Sequence, residues 1–396
     1  MSAASYADDT IDVENIQLLD GGPFDSLLNV IVVDVETVAG QAGALGNTLL
    51  VDYTLGDVNV NNSQTLRASG FAESVVDVNI ATNSASANSF ALGNSSTITT
   101  CCGNVATDST QTVDAGYTIG AESDLNVYNW AMNPNAAALA TGNAISTQTT
   151  YGSSLTSNIN QSNQATITSR ALIDRGGVFA DSAVVASTAI ANTGFAGGTQ
   201  TTTLVNVNQA SNGPTVRAIG GLFGPALEDS IVATTATGNN FSIENSFGYV
   251  RSEVTQENSA YINAQTDVDI GVWGNTNSVS AYAIGNSNLT SNIGSDVYID
   301  NLQLNTGDIE ALTEFNGADA GGVGPATQVI SSAAFGNAVS GYLCSVCGGN
   351  MTAINNQNNS ASISTTTTIS AGNGGTVIGS ATAIGNSATF QASSGD

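Results

Sequence analysis

The chain has 396 residues, with 32 Asp or Glu, five Arg and neither His nor Lys, for a net charge of −27. Without His or Lys there is no Ser-His-Asp triad, no Cys-His pair, no histidine metal site and no phosphate-loop lysine. So acidic a chain lacks the cationic face that nucleic acid or an anionic membrane surface requires. Charged residues are nonetheless only 9% of the chain, so the body is polar and uncharged, with acids in turns and on the outside that keep it soluble.

The N-terminus, Met1 followed by Ser-Ala-Ala-Ser-Tyr-Ala-Asp-Asp, has no basic and no hydrophobic region. It reads as a mature terminus with an added Met, left after removal of a signal peptide. Residues 1–10 lie outside the repeat described next and form an N-terminal extension or cap; residues 11–396 form a single repeat domain. The longest apolar run, from Ser26 to Asp34, is a strand. It is far short of the roughly 18 residues of a membrane helix, so no membrane insertion is expected.

From there a tetrad returns eight times: Ala, any residue, Gly (once Ala), Asn. It ends at Asn47, Asn94, Asn143, Asn192, Asn239, Asn286, Asn337 and Asn386, at intervals of 47 to 51 residues. A second series, Gln17, Gln64, Gln111, Gln161, Gln209, Gln256, Gln303 and Gln357, keeps phase with the first. Each of these Gln residues is followed four positions later by Gly or Ala. Two motifs in eight matched copies mean one structural unit stacked eight times.

Around each tetrad the pattern alternates. The residue three before the Asn is always Ala, the residue five before is always small, and the residue two before is usually Leu, Ile or Phe. Period two is a strand signature, and the small face must meet a closely packed second sheet. Gly before the Asn permits a bend or a positive φ. Asn and Gln then lie over their own copies and form the amide ladders of cross-β assemblies. The expected fold is all-β, a parallel β-solenoid (β-helix) of eight repeats of about 48 residues. Two coils per repeat, one bearing Gln and one bearing the tetrad, would give sixteen coils and a rod of roughly 75 Å; one three-sided coil per repeat would give half that length. Loops are expected near Asn133-Pro134-Asn135 and from Phe315 to Gln328.

Four cysteines, Cys101, Cys102, Cys344 and Cys347, form two pairs at the same phase, each beginning seven residues after a tetrad Asn. Stacking puts the pairs too far apart for a bridge between them. They are candidates for disulfides within each pair or between neighbouring molecules; two thiolates alone make a poor zinc site.

The amide ladders, the segments Asn160-Gln-Ser-Asn-Gln-Ala165 and Asn355-Asn-Gln-Asn-Asn-Ser-Ala-Ser-Ile363, and the Ala-Ile-Gly-Asn-Ser style of repeat resemble curlin-type secreted fibre subunits. More closely, they resemble the holdfast-anchor surface proteins of stalked bacteria. Curlin repeats are shorter, and their small residue lies further from the Gln. The resemblance implies a secreted, cell-surface protein exported by a curli-like route. Its partners would be extracellular polysaccharide and other surface-anchor proteins.

The expected function is an extracellular structural subunit, not an enzyme, that stacks on itself head-to-tail into a surface fibre or anchor for adhesion and biofilm attachment. Whole repeats would leave open strand edges at both ends, which are templates for addition. The alternative is a monomeric secreted solenoid that binds or cleaves polysaccharide. Cleavage would need paired carboxylates, and the candidates are Asp267 with Asp269, or Asp296, Asp300, Asp308 and Glu310, with Trp130, Trp273 and Tyr282 as stacking platforms. No cofactor is expected. Calcium-roll and EF-hand signatures are absent, which leaves calcium only as a bridge between acidic filaments.

Overall fold

The computed structural model describes residues 10–151, 154–174, 179–320, 326–345, 349–373 and 375–394. Among them there are strands and turns but no helix, and every strand pairing is parallel. One sheet has eight strands: Thr10–Asp20, Asp57–Arg67, Val105–Val113, Ser154–Asn163, Thr202–Ser211, Val250–Asn258, Val297–Asn305 and Met351–Asn359. We call it the first wall.

The second sheet has thirteen strands and folds into two further walls. In Phe24–Thr54, Gly70–Cys101 and Thr215–Ser246 one strand runs through both walls. Elsewhere the chain breaks between them, as between Thr118–Ala131 and Pro134–Thr150 or between Tyr261–Trp273 and Thr276–Ile293. The break at Met132–Asn133 is the first expected loop. The second is not a loop over its whole length: Phe315 is fully buried in the strand Ile309–Ala320, and residues 321–325 lie outside the described set. The first strand begins at Thr10, the last residue of the expected extension; residues 1–9 lie outside the described set.

The register fixes the geometry. Gln17 lies beside Gln64, Gln64 beside Gln111, and so on to Gln357; Asn47 lies beside Asn94, and so on to Asn386. Each layer is therefore one whole repeat. The two-coil geometry is corrected: a coil half as long would set each Gln over a tetrad, and instead each Gln sits over a Gln. Eight layers at about 4.8 Å span roughly 34 Å between the first and the last.

Inside, the layer is divided. The second wall and the part of the third wall before the tetrad enclose one apolar core, rich in Ala and Val. The first wall and the part of the third wall after the tetrad enclose another. The small tetrad positions face inward, as the alternation requires. Across the first core, hydroxyls join the walls: Ser89 to Ser123 (2.8 Å), Ser187 to Ser169 (2.9 Å), Thr266 to Thr234 (2.8 Å) and Ser332 to Thr367 (2.7 Å). Such contacts need short side chains on both walls, which explains the invariant small residues. Thr147, Thr149, Thr201 and Thr203 are likewise buried.

The tetrad glycines are required by close approach and not by positive φ, since none of them appears among the left-handed residues. A Cβ on Gly46, Gly142 or Gly336 would lie 2.3, 2.6 or 2.4 Å from the carbonyl oxygen of the layer above. Gly238→Val should therefore destabilise the chain by about 2–3 kcal/mol, against a small change for an outward substitution such as Thr97→Val. Denaturant midpoints of the two variants check this.

Candidate functional site

Between the two cores stand two columns of amides. In the Gln column, Nε2 of each Gln donates to Oε1 of the Gln one layer before it, at 2.7–2.8 Å, through all seven steps. In the Asn column, Nδ2 of each Asn donates to Oδ1 of the Asn one layer after it, at 2.7–2.9 Å, again through seven steps. The two columns thus point in opposite directions.

The second amide hydrogen fixes that direction. Every Gln also donates to the carbonyl of the residue following a tetrad Asn, from Gln17 to Thr48 through Gln357 to Ser387, at 2.8–3.1 Å. The first seven Asn residues donate to the carbonyl of the residue following a Gln, from Asn47 to Thr65 through Asn337 to Asn358, at 2.7–3.0 Å. A carbonyl oxygen accepts only from the NH2 side, so neither amide can flip. These bonds cross the layer and stitch the first wall to the middle of the third. Gln64, Gln111, Asn94 and Asn239 are at most 1% exposed, so each satisfied amide avoids a large desolvation penalty.

The sequence reading missed a third set of amides two residues after Gln. Asn163, Asn258, Asn305 and Asn359 each donate to the carbonyl two residues on, at 3.0–3.1 Å. They hold the turn at Ala165, Ala260, Gly307 and Ala361, the small residue of the Gln motif. Gln-x-Asn, present in these four repeats, was the available signal.

At the two ends the columns stop, among the described residues, with complementary groups that lack a partner of their own kind. On the first layer, among the described residues, Gln17 Nε2 makes only its cross-layer bond, and Asn47 Oδ1 has no donor. On the last layer, among the described residues, Gln357 Oε1 accepts only a 3.3 Å bond from Asn355 of its own strand and no Gln amide, and Asn386 Nδ2 makes only a 3.4 Å bond to the Gln357 carbonyl. One end offers a Gln donor and an Asn acceptor; the other offers a Gln acceptor and an Asn donor. The strands Thr10–Asp20 and Met351–Asn359 each pair on one side only.

The acidic candidates are dispersed. Asp296 and Asp308 accept the N–H of Asn350 (2.8 Å) and Ser362 (3.0 Å) in the next layer. Asp57 and Asp229 do the same for Asn104 and Thr276, so corner Asp residues cap the layer above. Glu310 accepts from the Tyr261 hydroxyl and from Asn263. Asp300 lies on the outer side of the first wall. Asp267 and Asp269 lie on the outer side of the second wall, and burial with the neighbouring Glu314 raises the Asp267 pKa. No pair faces across a cleft. Trp273 is fully buried and unavailable for stacking on a ligand, Trp130 is half-buried, and Tyr282 is exposed. Among the described residues no three potential ligands converge on a metal position, and no helix is long and apolar enough to cross a membrane.

Cys101, Cys102 and Cys344 carry free thiols, so the local Cys101–Cys102 bridge is not formed; Cys347 lies outside the described residues. Cys102 takes a left-handed turn at φ 69°, and a hydrogen bond between the two thiols lowers the Cys101 pKa and raises that of Cys102.

On the outer side of the second wall Arg170 pairs with Glu122 and with Asp124 at 3.2 Å. Burial nevertheless pushes the Asp124 carboxyl up to about 6, and the carboxylates of Glu73 and Asp174 push the same way.

A family model described as HfaD, Holdfast attachment protein D, matches residues 32–308, more than half of the chain. No curated protein and no solved structure matches it.

Two outcomes are expected here. Asn239→Leu leaves the amides of Asn192 and Asn286 and the Glu257 carbonyl without their partner. It should cost about 3 kcal/mol or more, while Asn206→Leu, on the outer side, should stay within about 0.5 kcal/mol; chemical denaturation compares them. The Asp124 carboxyl should titrate near 6 by side-chain NMR. Because its folded pKa lies above the unfolded value, its contribution to stability is full at low pH and is lost as pH rises from about 4 to about 6.

Proposed function

The chain belongs to the holdfast attachment protein D family, and we propose that within this adhesion role it is a structural subunit that stacks head-to-tail. The reading is of a secreted, cell-surface parallel β-solenoid, eight coils of one repeat each. Its amide columns continue from the last layer of one copy into the first layer of the next. Asn386 would donate to Asn47 of the next copy, and Gln17 of that copy would donate to Gln357. The direction of the columns carries this reading, because each column ends in a donor on one face and an acceptor on the other, so the last layer of one copy matches the first layer of the next. Addition is therefore heterologous, and a stack that does not close on itself becomes an open filament.

The likeness to curlins belongs here as well, because buried amide ladders with open strand edges are what cross-β fibres share. A structural role also fits the dispersal of the acids, several of which are held at corners, such as Asp296 and Asp308, or in surface pairs, such as Glu122 and Asp124. Extracellular polysaccharide and other surface-anchor proteins are the partners this role implies, with calcium as a bridge between acidic surfaces.

Asn386→Asp tests the stacking. The carboxylate still accepts from Asn337, so the layer stays closed, but it presents charge to the Asn47 oxygen of an incoming copy. Electron microscopy and sedimentation should show filaments for the parent chain and short species for the variant, at equal thermal stability. Filaments of equal length in both, or none in the parent, would sink the stacking reading.

A further inference from the structure

The corner that leads from the third wall into the next layer is built alike in six consecutive layers. One residue there takes a left-handed backbone: Leu55 (φ 72°), Cys102 (69°), Tyr151 (67°), Gln200 (57°), Phe247 (60°) and Gly294 (88°). Its N–H donates to a carbonyl of the layer above, at 2.6–3.0 Å, in every case. The six positions therefore stack in one column along the axis. Gly294 shows that glycine satisfies this corner. A residue with a side chain costs roughly 1–2 kcal/mol there, and a bulky one is an outlier. Yet Leu55, Tyr151 and Phe247 hold it, 49%, 63% and 61% exposed. Backbone strain and exposed apolar area both oppose the stability of a single copy, so the ridge serves something outside it.

Beside the ridge, on the outer side of the third wall, runs a groove of about 440 Å³. It crosses layers three to seven, with Gly197 at its floor, Phe195 and Tyr342 on its sides, and Glu244 as its single carboxylate. The ridge itself carries no charge. On a molecule of net charge −27, a like copy approaches only where few carboxylates meet, and ridge and groove together make such a strip.

We propose that this strip is the lateral contact between two copies of the chain, lying side by side and pointing the same way, with the ridge of each in the groove of the other. A two-fold axis parallel to the stack produces that exchange and sets layer against equal layer, so Tyr151 and Phe247 meet groove layers three and five. The inference rests on the head-to-tail reading for its strength. The two apolar side chains that meet the groove, Tyr151 and Phe247, offer on the order of 200–300 Å², which leaves a pair of single molecules below the roughly 1,200 Å² of a stable interface. Stacked copies repeat the contact along a filament and gain by multivalency.

The test is the double variant Tyr151→Gly/Phe247→Gly, which removes the ridge and relieves the corner. Its melting temperature should be unchanged or higher, and electron micrographs should show single filaments where the parent chain shows paired or bundled ones. Tyr151→Asn/Phe247→Asn, with a residue that tolerates the left-handed region, should behave alike and guards against an effect of glycine on folding. Equal bundling in parent and variants, or single filaments in the parent at every concentration, would overturn the lateral contact while leaving stacking intact. If the parent forms no filament, stacking has failed. The ridge is then judged by sedimentation at high concentration: a dimer in the parent that the variants lose supports it, and monomers throughout overturn it.

Discussion

Everything in this molecule follows from the cost of burying a primary amide. A Gln or Asn side chain has two donors and an acceptor to satisfy, and here each sits between two apolar cores with no water to help. The solution is a partner of the same kind one layer away and a backbone carbonyl across the layer. Both demands are met only if the same residue returns at the same place in every layer. The period of the sequence is therefore set by the layer, and the layer is the whole repeat.

The same constraint shapes the rest of the interior. The cross-layer amide bonds draw the first wall toward the middle of the third and divide the core in two. At that waist the layers approach so closely that the tetrad residue before the Asn must be Gly, or once Ala191. Hydroxyl pairs such as Ser187 with Ser169 set a similar limit across the larger core, and only Ala, Ser and Thr fit opposite them. The larger apolar side chains, such as Trp273, Phe315, Leu125 and Ile262, fill the core away from these hydroxyl pairs.

An interior of this kind does not finish itself. Among the described residues, each directional amide column ends with a Gln and an Asn that have no amide of their own kind beyond them, in opposite combination at the two ends. The outside works against indiscriminate contact: the surface acids repel like copies, and corner residues such as Asp57 and Asp308 bond the N–H groups of the layer above. The buried amides thus act along the stack, and the exposed carboxylates act to its side.

The sequence by itself determined the all-β class, the eight copies, the phase of Gln17 to Gln357 and Asn47 to Asn386, and the small inward face, because each is a periodic demand that every copy states again. The family match to residues 32–308 agrees with the holdfast-anchor likeness seen in those motifs. Only the tertiary structure decided the length of a coil, since a period of about 48 residues fits one long turn or two short ones until it is known what lies above each Gln. It alone decided that Trp273 and Phe315 are core and not surface, because burial depends on where a wall bends. The opposed direction of the two amide columns and the left-handed corner at Leu55, Tyr151 and Phe247 were also invisible in the sequence. Direction depends on which carbonyl faces each amide across the layer, and the corner changes its residue in every copy, so no motif marks it.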